Sequence, residues 1–166
     1  MKSLYLLSLF FIMSCQNVIK NDDIDTVINK YDKTDFSLFE NTFIGIRERN
    51  GNEIVYIIEK AEGHLPVYFV KYSVSKGSVI DINKTALEEK SMEDYFTSKE
   101  IYSIIENFRE LDLSLLKVDK EGNVFMNPFK INEPAILLRL ASPSANKEVR
   151  KGYVYNHYKN NWYIRR

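Results

Sequence analysis

From Thr42 onward the apolar positions fall in short runs broken by turn residues. Residues 42–49 and 53–60 flank Asn50-Gly51-Asn52, and Asn-Gly is a strong hairpin signal because both residues tolerate positive φ. A third run, 65–75, places Tyr68, Val70, Tyr72 and Val74 at alternate positions, the period of a strand with one buried face. Lys76-Gly77 then makes a turn, and residues 78–82 add a fourth strand. A helical turn is expected over 85–90. The clearest helix starts at Thr97-Ser98-Lys99-Glu100, a capping box in which hydroxyl and carboxylate each satisfy an exposed backbone N–H. Ile101, Ile104, Ile105 and Phe108 follow at i, i+3, i+4 and i+7, one face of a helix. Beyond it, 115–119 and 123–126 flank Lys120-Glu121-Gly122, another hairpin. Residues 135–141, 150–158 and 162–165 read as closing strands, the last two joined at Lys159-Asn160-Asn161. The pattern predicts an α+β fold: a mainly antiparallel sheet of about seven to nine strands, with one main helix over about 98–110 packed on a face.

The first 41 residues follow a different pattern. Residues 16–41 are polar, with Ile24, Val27, Ile28 and Tyr31 at helical spacing. Asp22, Asp23 and Asp25 stand early and Lys30 and Lys33 late, which suits the helix dipole. A short helix over about 23–32 is expected within a tether. Before it, Leu4 to Met13 carry no charge and follow Lys2. Ten such residues are too few to span a bilayer, which takes about 20, and fit the core of a secretory signal.

That run ends Ile12-Met13-Ser14-Cys15. It resembles a bacterial lipoprotein signal, in which an aliphatic residue, a variable one and a small one precede an invariant cysteine. Ile12, Ser14 and Cys15 match, while Met13 departs from the usual small or aliphatic residue. The resemblance implies cleavage before Cys15, diacylglycerol on its sulfur, and a chain anchored to the envelope membrane. Gln16, where enterobacterial inner-membrane lipoproteins carry Asp, points to the outer membrane. The expected organisation is a signal peptide over 1–14, a lipidated Cys15 with tether over 15–41, and a single domain over 42–166.

Composition narrows the function classes. The chain has 23 Lys+Arg and 23 Asp+Glu among 166 residues, so it lacks the general basic footprint of a nucleic-acid binder. One cysteine rules out an intramolecular disulfide framework and a Cys-built zinc site. His64 and His157 are the two histidines, and neither stands in a His-x-His or His-Glu-x-x-His spacing. Glu88, Glu89, Glu93 and Asp94 form an acidic run that reads as a solvated helix face and turn. Asp119, Glu121 and Asn123 alternate as in a calcium loop, but no distal glutamate follows, so a hairpin turn is expected. There is no Gly-x-Ser-x-Gly elbow and no phosphate-cradling glycine loop. The sequence therefore nominates no catalytic residue, no metal set and no cofactor.

Aromatic residues carry more information. Tyr153, Tyr155 and His157 alternate on one strand, with Tyr158, Trp162 and Tyr163 close by. Tyr and Trp combine flat apolar area with a polar tip, which suits a binding face, although aromatics also build strands and cores. Arg47, Glu48, Arg49 and Arg165-Arg166 are candidate rim charges. Two readings follow. In the first, the chain is a lipid-anchored, non-enzymatic binding module with a protein partner, like an immunity or accessory lipoprotein. In the second it is an envelope hydrolase acting on glycan, peptide or lipid. A deep pocket with a histidine beside two carboxylates favours the second, and a shallow aromatic face the first.

Overall fold

The computed structural model describes residues 20–142, 147–150 and 152–165; the signal segment, Cys15 and Arg166 lie outside them. The chain divides into two compact units, Met1–Asp32 and Lys33–Arg166. In the first, α1 (Asn21–Tyr31) begins two residues earlier than the apolar spacing predicts. The Lys20 N–H donates to Asp23 Oδ2 at 3.1 Å, which extends the helix toward its acidic first turn. Ile24, Ile28 and Tyr31 are its buried positions.

The second unit holds one antiparallel sheet with short helices. Its strands are β1 (Thr42–Asn50), β2 (Glu53–Lys60), β3 (Tyr68–Ser73), β4 (Ser78–Asn83), β5 (Leu115–Val118), β6 (Val124–Asn127), β7 (Leu137–Arg139), β8 (Lys147–Arg150), β9 (Tyr153–Lys159) and β10 (Trp162–Arg165). The order across the sheet is β4-β3-β2-β1-β5-β6-β7-β10-β9-β8. Most neighbours are joined by hairpins. Two pairs are not: β1 meets β5 across the helical segment, and β7 meets β10 around the β8–β9 hairpin.

The strand count of ten exceeds the expected seven to nine. The difference lies at the C-terminus, where 150–158 reads in sequence as a single strand. Gly152 has φ +80° and reverses the chain, so that Arg150 pairs with Tyr153 and β8 becomes a strand of its own. Elsewhere β3, β5 and β7 are shorter than expected, while β1 and β4 each run one residue longer. β3 starts only after Pro66, which has no N–H to give a ladder, and Val74 falls beyond its end, half exposed.

Between β4 and β5 lie α2 (Thr85–Glu88) and α3 (Ser98–Arg109). The capping box forms as read: Glu100 N–H donates to Thr97 Oγ1 at 3.2 Å, and Thr97 N–H donates to Glu100 Oε2 at 2.7 Å. These bonds hold the Glu100 carboxyl below its ordinary range. Ile101, Ile104, Ile105 and Phe108 are all buried. Phe108 meets Tyr56 of β2 edge-on at 6.0 Å, and the Arg109 guanidinium lies 4.0 Å from the Tyr72 ring centre on β3. The helix thereby covers the β2–β3 face that carries Tyr56, Val70 and Tyr72.

Candidate functional site

The opposite face of the sheet is built by strand alternation. Phe43 lies opposite Glu59 on β2 and Lys117 on β5. Lys117 faces Phe125, which faces Leu138, which faces Tyr163, which faces His157. Side chains directly opposite on neighbouring strands share a face. One cross-strand row therefore runs through seven strands, from Glu59 on β2 to His157 on β9.

This row does not lie flat. β2 and β9 are six strand steps apart, roughly 29 Å in a planar sheet. Yet Glu59 of β2 and Tyr155 of β9 line one open hollow of about 640 Å³. The sheet must curl strongly, as the right-handed twist of many strands allows. The hollow is the result: a cleft on the concave side, in the size range of ligand pockets.

Its floor is apolar. Phe43, Leu115, Phe125, Ala135 and Tyr155 contribute to it. The Phe125 and Tyr155 rings meet edge-on at 6.1 Å, and the buried Tyr155 hydroxyl donates to the Ala135 carbonyl at 3.1 Å. Burial pushes the Tyr155 phenol above its ordinary range, with the nearby Arg165 charge acting the other way. Leu138, Leu140 and Tyr163 pack in the same cluster.

The rim is charged. Glu59, Glu62, Asp119 and Glu121 supply carboxylates, and Lys117 and Arg150 supply cations. Asp119 is already committed to its turn. Its Oδ1 accepts from the Glu121 and Asn123 N–H groups at 3.1 and 2.8 Å, and its Oδ2 accepts from Asn123 Nδ2 at 2.9 Å. This agrees with the expected hairpin: the carboxylate binds its own backbone. Glu62 pairs with Lys120 at 3.0 Å. Lys117 lies 5.2 Å from the Phe125 ring centre, and Arg150 pairs with Glu148 at 3.3 Å.

His64 also lines the cleft, exposed, in a loop where Gly63 and His64 take φ of 108° and 43°. The structure thus brings one histidine into the same hollow as four carboxylates, which residue spacing alone does not reveal.

The sequence-nominated aromatics divide. Tyr153 and Tyr155 line the cleft. Tyr153 is 41 % exposed, and the Arg165 guanidinium lies 4.7 Å from its ring centre. Tyr163 is buried in the cluster beneath, edge-on to His157 at 5.3 Å. His157 lies at the exposed end of the row, where Nε2 sits 2.8 Å from the Asn160 carbonyl and donates to it in the tautomer protonated there. Trp162 is fully buried on the other face, 6.0 Å from the Arg139 guanidinium, which also stacks on Phe36 at 5.0 Å. Trp162 and Tyr163 are consecutive in β10, so alternation places them on opposite faces. Tyr158, next to His157, is half-buried and falls at the register irregularity between β9 and β10.

The floor residues Phe43, Leu115 and Phe125 were not singled out by sequence. Their signal is present: each alternates with a residue of the α3-covered face, as Phe43 does with Ile44. The acidic run proves structural where it is bonded. Asp94 accepts from the Tyr68 hydroxyl at 3.3 Å and pairs with Lys84, while Glu88, Glu89 and Glu93 are exposed. Among the described residues, no helix is long and apolar enough to cross a membrane, and no cluster of three His, Cys, Asp or Glu could hold a metal ion. Comparison of the chain with family models, with curated proteins and with solved structures finds no match.

Proposed function

We propose that the protein is a lipid-anchored module of the bacterial envelope, held to the outer membrane through acylated Cys15, and that its folded unit binds a protein partner without catalysing a reaction. The cleft carries this reading: an apolar floor of Phe43, Leu115, Phe125 and Tyr155 opens to solvent between charged rims, the arrangement of a recognition site. The anchor rests on the lipoprotein-like ending at Cys15. Two acyl chains suffice for stable attachment, since each buried CH₂ contributes about 0.8 kcal/mol.

The test is a photo-crosslinking residue placed at Tyr153 in the native envelope, with Tyr102 of α3 as the control position. Both side chains are exposed, but only Tyr153 lines the cleft. The expected outcome is a discrete protein adduct from position 153 and none from 102. Equal labelling at both positions refutes a cleft-specific partner. For the anchor, radiolabelled palmitate enters the wild type and not Cys15→Ser; a labelled Cys15→Ser protein overturns it.

One observation favours the hydrolase reading: His64 shares the cleft with Glu59, Glu62, Asp119 and Glu121. Acid–base catalysis needs such groups within hydrogen-bond reach of the substrate. Against it, Asp119 spends its acceptor positions on the turn and Glu62 is paired with Lys120. On the binding reading, His64→Ala together with His157→Ala leaves biological function intact. Loss of function in a still-folded double variant selects the hydrolase.

A further inference from the structure

We infer that the cleft takes an extended, basic peptide segment, seating one apolar side chain on the floor with Lys or Arg side chains at the rim. This deepens the binding-module reading and rests on it. Three observations point to that chemistry.

The first is charge. Glu59, Glu62, Asp119 and Glu121 outnumber Lys117 and Arg150 around the opening. Both of these cations are occupied within the protein, Lys117 against the Phe125 ring and Arg150 with Glu148, as are two of the carboxylates, Asp119 in its turn and Glu62 with Lys120, so the charge offered to a ligand centres on Glu121. Glu121 is exposed at the tip of the β5–β6 turn, and it borders the cleft and two smaller hollows beside it. An anionic ligand, such as a fatty acid or an acidic glycan, meets net repulsion there; a cationic one is attracted and steered in.

The second is size. A volume of about 640 Å³ suits a few side chains of an extended segment, not the surface of a folded domain. The third is the sheet edge. β8 ends the strand order, and its Arg150 lies opposite Tyr153 at the cleft. An edge strand offers backbone groups to an added strand, whose alternate side chains point to one face. On the Arg150–Tyr153 side, that face is the cleft.

The experiment uses the full lipidated chain in neutral phosphatidylcholine nanodiscs, with empty nanodiscs as blank. The probe is a fluorescent pentapeptide alternating arginine with phenylalanine and valine; its counterpart carries glutamate for arginine. Fluorescence anisotropy is expected to show salt-sensitive binding of the basic peptide, with the acidic one at least about tenfold weaker. Glu121→Lys weakens the basic peptide about fivefold, the scale of one exposed ion pair, and the remote Glu89→Lys does not. Tyr153→Ala weakens both peptides, and circular dichroism checks that each variant is folded. Preference for the acidic peptide, or indifference to Glu121→Lys, overturns the inference. So does a dansyl fatty acid that binds, sensitive to Tyr153→Ala, when neither peptide does; the binding-module reading then survives with a different ligand. A doubling of mass by light scattering that Glu121→Lys and Tyr153→Ala both abolish assigns the cleft to a second copy instead. If peptides, fatty acid and self-association all fail, the inference falls, and the Tyr153 crosslink alone decides the binding-module reading.

Discussion

The two faces of the sheet are made from the same strands and serve opposite ends. On one, α3 lays Ile101, Ile104, Ile105 and Phe108 over Tyr56 and Tyr72, and every one of these side chains is buried. On the other, Phe43 and Leu115 stay half-buried at the foot of an open cleft. Their apolar composition is similar; their cover is not. A covered face converts apolar area into stability, while an uncovered one keeps that area available to a ligand.

The sharpest way to break this comparison is to truncate one side chain on each face. Phe108→Ala is expected to cost about 3–5 kcal/mol, because the surrounding rings cannot close over the space. Phe43→Ala, with solvent already beside it, should cost less than half as much. Equal losses in urea unfolding refute the division of labour. Next in size is Asp119→Ala at the cleft rim, expected to cost about 1–3 kcal/mol because it strips acceptors from the Glu121 and Asn123 N–H groups and the Asn123 amide. Asp119→Asn should recover part of that loss.

On the helical face, Thr97→Ala removes the N-cap and is expected to cost about 1 kcal/mol. The partner Glu100 adds a pH dependence. Its carboxyl is held below the ordinary range in the folded chain, so its contribution is present at neutral pH and is lost as pH falls through the acidic range. Thr97→Ala should therefore lose less stability to acid than wild type. The smallest effect is expected from Tyr153→Ala, within about 0.5 kcal/mol, because its ring is already solvent-exposed. A large stability loss there makes Tyr153 a core residue and not part of a binding surface.

The same contrast explains what was legible. α3 was readable in full because its cap and stripe are local, spanning Thr97 to Phe108. The β1–β2 and β5–β6 hairpins were readable for the same reason. The cleft was not: it depends on a curl accumulated over six strand steps, which no residue encodes by itself. Tyr153 and Tyr155 were found by alternation, but Trp162 was grouped with them although it lies on the other face. Trp162 and Tyr163 are neighbours in β10, so strand alternation alone puts them on opposite faces, and grouping them by closeness in sequence overlooks that. The tenth strand is hidden because 150–158 reads in sequence as one extended run, whereas the positive φ of Gly152 makes a reversal there.

The two seams of the sheet, β1 with β5 and β7 with β10, have a kinetic meaning. The hairpins on either side can form early from local contacts, but each seam must wait for a long loop to close. The cleft draws its walls from both sides of both seams: Phe43 and Leu115 flank the first, Phe125 and Tyr155 the second. No half-assembled chain can possess it. A ligand seated there stabilises only the finished sheet, so its occupancy doubles as a signal that folding is complete.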